Sequence, residues 1–367
     1  MPFTKTWLGT TGDYELSTNW ELISLRSNNF AWTASGSGTN EYYVRTAASG
    51  NPGFVATPPT SAGVYINGSA ATKASLGSLA AGNWGYGDND TLGYSTVYVR
   101  LSGGGDPDAQ DFDHVQFRQI PQATEHVRIP ANAGSISSNL DQSAAAVGDF
   151  VVESGYAGTI GATTGYLIID PDAFRFEGTG QAFIDLYSAA ISPRVLTTGT
   201  AQTGERGLYL RGSALSVVSI HGGSVGLAVR PGEIATATTV RILGTDASVW
   251  LGSGVTLTNL HQWEGNSVIR CGAPTTIIYG GTMTLEESAA VSRSVAQLGG
   301  YFTWNSSGTI AAYNMYGGTF DMQRSGVART LTAFNKFRGS LTILRNKEAV
   351  TYTAETPQFS YTESVSG

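Results

Sequence analysis

Three consecutive pieces read TTIIYGGTMTLEESAAV at 275–291, SVAQLGGYFTWNSSGTI at 294–310 and AAYNMYGGTFDMQRSGV at 311–327. Each runs through a short strand-like segment, turns at a glycine pair and starts another. The pattern extends over 215–350, with turn glycines at Gly223, Gly244, Gly265, Gly281, Gly300, Gly318 and Gly339. Their spacing ranges from 16 to 21 residues and averages about 19. A repeat of that length, built from strand-length pieces with no helix-length ones, is the signature of a solenoid.

The columns beside the turn say which solenoid. Two residues after the glycine stand Val225, Met283, Phe302, Phe320 and Leu341. Four after it stand Leu227, Leu285, Trp304, Met322 and Ile343, and between them Gly226, Thr284, Thr303, Asp321 and Thr342. This period of two fits an extended strand and no helix. The expected fold is all-β: a parallel β-helix of about 19-residue coils, stacked ~4.8 Å apart, each coil completing its neighbour's core. A right-handed winding is expected, because parallel crossovers are overwhelmingly of that hand.

Upstream, residues 1–124 read as a separate N-terminal β-sandwich or barrel-like domain. Short Trp-, Tyr- and Val-rich strands are expected near 6–8, 30–33, 41–45, 63–66 and 95–101, separated by Gly/Pro loops. At most one short turn of helix is expected, at 72–80. From His126 the text changes to short strands broken by Gly, Pro and Asn, read as irregular first coils. The β-helix is therefore expected over 125–350, followed by a polar tail over 351–367.

Composition narrows the function. Only 13% of the 367 residues are charged, while glycine numbers 47. That fits a rigid all-β chain with tight turns. The net charge of −7 is uneven: −9 over 1–204, +4 over 205–345 and −2 over 346–367. The basic excess is arginine except for Lys336, spread among the coils. Arginines on solvated outer faces or at a subunit contact are expected, and nucleic-acid binding is not. The single cysteine, Cys271, excludes an intrachain disulfide and reads as a small buried residue. The N-terminus lacks a secretory apolar core and no run reaches spanning length, so cytoplasmic synthesis and no membrane partner are expected.

Few residues point to chemistry. Asp106, Asp108, Asp111 and Asp113, followed by His114, form an acid-rich loop that would suit a hard cation, although the spacing matches no standard calcium loop. Asp88, Asn89 and Asp90 are a weaker version. Residues 222–226 match GxSxG, but between two strands rather than before a helix, where a nucleophile elbow belongs. Glycoside cleavage needs two carboxyl groups about 5–10 Å apart. Between 215 and 345 the acids are only Glu233, Asp246, Glu264, Glu286, Glu287 and Asp321. Glu286 and Asp321 fall in neighbouring columns, about two coils apart. Trp250, Trp263 and Tyr301 would stack on sugars or pack against another subunit. The four histidines are too scattered for a zinc site. No cofactor is expected.

The segments NEYYV at 40–44 and LGSLAAGNWGYGDNDTLGYSTVYVRL at 76–101, with the GG-turn repeats, resemble those of tailed-bacteriophage virion structural proteins. The resemblance implies a non-enzymatic homotrimer in the virion, in contact with other virion proteins such as the major capsid protein. Two placements follow from it. One is a capsid decoration (cement) or head-fibre protein. The other is a tailspike or tail fibre that binds, and in some cases cleaves, a host surface polysaccharide. The acid-poor repeat and the absence of a long trimerising module after 350 favour the first.

Overall fold

The computed structural model describes residues 4–9, 11–14, 19–21, 23–24, 30–46, 63–93, 95–109, 115–118, 121, 124–187, 190–198, 206–286, 293–322, 329–342 and 350–352. Residues 111–114, including Asp111, Asp113 and His114, lie outside them, as does 353–367 of the expected tail. All regular elements among the described residues are strands. Two compact units are present: 1–139 with 145–148, and 140–144 with 149–367. The expected boundary at 124 falls inside the first unit.

The first unit holds two small sheets. One pairs Phe30–Ala34, Tyr42–Thr46, Thr96–Arg100, Asn83–Gly87 and Thr72–Lys73; the other pairs Ile23–Ser24, Val115–Arg118, Gly63–Ile66 and Ser69–Ala70. Trp32, Val44, Trp84, Val97 and Val99 from the first sheet share one hydrophobic cluster with Val64 and Val115 from the second. Two sheets closing over one core is the sandwich arrangement. The helical turn expected at 72–80 does not form. Its first residues instead pair in parallel with Asn83 and Trp84. A second cluster sets Trp20 edge-on to Trp7 and Tyr14 at about 5 Å, with the Trp7 indole N–H donating to the Gly134 carbonyl at 2.8 Å. His126–Ile129, read from sequence as a first coil, belongs to this unit and pairs in parallel with Thr4–Thr6.

The second unit is a parallel β-solenoid of about nine coils with roughly 20 residues each. One inward column runs in register through Ala182, Leu208, Val225, Val249, Ser267, Met283, Phe302 and Phe320, and the backbone register continues to Leu341. Of the residues read from sequence, Met283, Phe302 and Phe320 are neighbours one coil apart, whereas Val225 stands three coils from Met283 with Val249 and Ser267 between; Ile343 lies outside the described residues. The opposing wall contributes Val218, Val240, Leu260, Thr276, Val295, Tyr313 and Phe334, all buried. Longer strands such as Ala235–Ile242 carry two walls. Their in–out alternation slips phase at Thr239–Val240, which marks a bend within the strand. Fillers change along the rod. Phe150, Phe174 and Phe176 stack in the first coils, aliphatics such as Leu208, Val225 and Val249 fill the middle, and Phe302, Phe320 and Tyr313 stack in the later ones, with centroids 5.5 and 4.2 Å apart.

The turns explain the glycine pairs. Gly300 and Gly318 adopt φ of +72° and +80°, a region that L side chains rarely occupy. A β-carbon on Gly318 would also collide with the carbonyl oxygen of Gly300 in the coil before. Gly244 departs from this pattern: its turn is longer and its φ is not positive.

Two arginines correct the expectation that the basic excess is solvated. Arg293 and Arg329 are only 3% and 4% exposed. Their guanidiniums point at backbone carbonyls: Arg293 donates to Cys271, and Arg329 to Met322 and Ser306 at 3.0 and 3.3 Å. They fasten carbonyls of residues that lie outside the strands. Burial lowers the pKa of Arg293.

Candidate functional site

The acid-rich loop is structural where it is described. Asp108 accepts the backbone N–H of Trp32 at 2.8 Å, and Asp106 accepts that of Asp108 at 2.9 Å. These bonds tie the loop to strand Phe30–Ala34. Asp88 caps its own turn through the N–H groups of Leu92 and Gly93, and Asp90 takes Gly36 N–H and the Ser35 hydroxyl. Among the described residues, no group of three His, Cys, Asp or Glu is placed to hold a metal ion. Ser224, in the GxSxG stretch, opens a strand and is buried, and its own N–H donates to Thr198 Oγ1.

Four acids of the solenoid have a local partner. Glu286 bonds Arg270 at 2.8 Å, Asp185 bonds Arg211 at 2.7 Å, and Asp321 accepts the Tyr301 hydroxyl. Glu233 accepts the Tyr166 hydroxyl and, at 3.0 Å, the backbone N–H of Arg230. Hydrogen bonding to Asp321 pushes the Tyr301 phenol up to about 12. Glu286 and Asp321 are thus committed to different partners rather than facing one another across a cleft.

The three aromatics read as sugar platforms occupy three different settings. Trp250 projects outward from strand Ser248–Leu251, with the Arg206 guanidinium 3.1 Å from its ring centroid. Trp263 lies at the turn edge and stacks on Tyr279 at 4.9 Å with planes 13° apart. Tyr301 begins strand Tyr301–Trp304 and is held by Asp321. Trp250 lines a cavity of about 260 Å³ with Arg206, Tyr209, Val229, Arg230 and Arg270. Trp263 and Tyr279 flank a more open one of about 450 Å³ with Glu264 and Asn266. Tyr301 lines neither.

Sequence reading missed an edge ladder. Trp263, Tyr279, Leu298, Tyr316 and Phe337 occupy the same place in five successive coils, just before the turn glycines. Each hangs from the preceding coil by a backbone N–H···O bond of 2.7–2.8 Å. Tyr279, Leu298, Tyr316 and Phe337 are 40, 46, 47 and 42% exposed. Tyr316 and Phe337 stack at 4.7 Å with parallel planes. In the sequence these are the large residues two places before the last five turn glycines, a position where the period of two gives no warning that the side chain is exposed.

Comparison with known proteins gave no matching family model, no matching curated protein and no matching solved structure. No helix among the described residues is long and apolar enough to cross a membrane.

Proposed function

We propose that this chain is a non-enzymatic structural protein that assembles as a homotrimer, its rigid solenoid contacting other copies through the exposed edge ladder. The observation that carries this reading is the ladder itself. A continuous row of large apolar side chains, one per coil, is unusual on the surface of a monomer and usual at an interface. A ladder-bonded rod is suited to mechanical work, because each coil is held by the next along its whole length. The engagement of Asp185, Glu233, Glu286 and Asp321 in local ion pairs and hydrogen bonds also favours scaffold over catalyst.

The resemblance drawn from sequence suggests the setting: a tailed-phage virion, with the protein as capsid decoration, cement or head fibre beside the major capsid protein. Counting copies per purified particle by quantitative mass spectrometry tests this. Many copies spread over the shell fit decoration. A handful per particle contradicts it and fits a tail component.

A second reading, a tailspike or tail fibre that binds host polysaccharide, is favoured by the open cavity beside Trp263 and Tyr279. A glycan array separates the two readings, since decoration requires no glycan.

A further inference from the structure

The edge ladder is the raised rim of a low sheet face that carries no charge. Behind each rung two more residues of the same run of chain point outward, alternating with the buried column. The column farther from the turn runs in register through Thr275, Ser294, Ala312 and Ala333. The middle column runs through Ile277, Ala296, Asn314 and Asn335. All eight are exposed or half-buried, none is charged, and the farther column holds nothing larger than threonine. A floor of mostly small side chains therefore lies beside the ridge of Tyr279, Leu298, Tyr316 and Phe337.

Floor and ridge occupy the same four coils. In the two coils before them the middle column holds Arg241 and His261, and the Trp263 rung is only half-exposed against His261 and Tyr279. Charge thus leaves the face at the level where the rungs become most exposed. Both surfaces repeat once per coil, about 4.8 Å along the rod. A second copy running parallel carries a ridge of the same period as this floor, and rotational symmetry sets the two at the same height. A closed ring of three needs two different patches on each chain, one meeting the other on the next copy. Ridge and floor supply such a pair, and the absence of charge suits the core of an interface.

We propose that the ladder of each copy lies on the charge-free floor of the next, closing a ring of three parallel chains over the coils from Thr275 to Phe337. The inference rests on the trimer reading and adds the surface that receives the ladder. Arg241 and His261 stay outside the contact.

Light scattering on full-chain variants tests it. Ala312→Lys and Ala296→Lys each set one charge on the floor and leave the ladder untouched. Thr284→Lys sets one on the outer face of a different wall, in strand Thr282–Leu285. At micromolar concentration each floor variant should fall from three chain masses towards one, while Thr284→Lys should stay at three. The β-sheet circular dichroism should match wild type in all of them, and two floor positions keep the test valid should one variant fold poorly. A wild-type trimer that both folded floor variants retain would overturn the floor assignment and leave the trimer reading standing. A trimer broken as readily by Thr284→Lys would overturn it as well. A wild-type mass of two chains would point to floor-to-floor pairing about a two-fold axis, and a mass of one to no assembly. Either would overturn the trimer reading and this inference with it.

Discussion

Gln262 and Gln297 stand two coils apart in the same inward column, with Ile278 between them, and make the same pair of bonds. Gln262 Nε2 donates to the carbonyls of Gly265 and Thr282 at 3.0 and 3.1 Å; Gln297 Nε2 donates to those of Gly300 and Thr319 at 3.1 and 3.0 Å. Each side-chain oxygen accepts a hydroxyl, from Ser267 and Tyr313 respectively. A buried amide is tolerated here because its N–H and its oxygen are both satisfied, and it locks the turn to the next coil.

Gln297→Leu keeps the volume and removes the lock. It takes a donor from the Thr319 carbonyl and leaves the buried Tyr313 hydroxyl short of its acceptor, while the Gly300 carbonyl keeps the Thr319 N–H. A loss of about 2–4 kcal/mol is expected at roughly 1–3 kcal/mol per stranded group. Urea denaturation should show a lower midpoint with an unchanged slope.

Gly318→Ala and Gly93→Ala separate strain from collision. Both glycines have φ near +80°, but a β-carbon on Gly93 meets nothing within 4 Å, whereas one on Gly318 strikes the Gly300 carbonyl. Gly93→Ala should cost about 1 kcal/mol from backbone conformation alone. Gly318→Ala should cost clearly more, read as the larger drop in the thermal midpoint.

Cys271 reports on opening of the solenoid. It is buried, and burial pushes its thiol up to about 11, so little reactive thiolate exists at neutral pH. A thiol-specific reagent should label the native protein far more slowly than the urea-unfolded chain. Gln297→Leu should accelerate native labelling if its turn opens with the coils around it.

Alkaline pH should weaken the first unit. Burial pushes the phenols of Tyr86 and Tyr98 up to about 12, from 10.0 in an unfolded chain. A raised folded pKa gives stability that is fully present below pH 10 and lost as pH rises through about 12. Tyrosinate absorbance should therefore show a late-titrating class, and the unfolding midpoint should fall across that window. Removing Tyr98 with Tyr98→Phe should flatten part of the fall.

The repeat was legible because its inward columns alternate strictly: Met283, Phe302 and Phe320 announce a strand wherever they stand. The edge ladder was not, since Tyr279 and Tyr316 break the period of two at a turn, where periodicity carries no signal. The buried arginines were missed for a related reason. Arg293 and Arg329 satisfy backbone carbonyls that only the stacked coils create. Trp250, Trp263 and Tyr301 were visible as aromatics, but sequence spacing alone does not say which face each occupies. The cavity lined by Arg206, Arg230 and Arg270 arises only in the fold, since these residues come from coils far apart in sequence.

The central claim is that the edge ladder is a subunit interface, and the molar mass of the purified chain tests it most directly. Light scattering should give about three times the 38.5 kDa chain mass. The double variant Tyr316→Lys/Phe337→Lys should shift it towards a single chain while the β-sheet circular dichroism is kept. A wild-type mass of one chain at micromolar concentration, or a double variant that remains trimeric, would contradict the account.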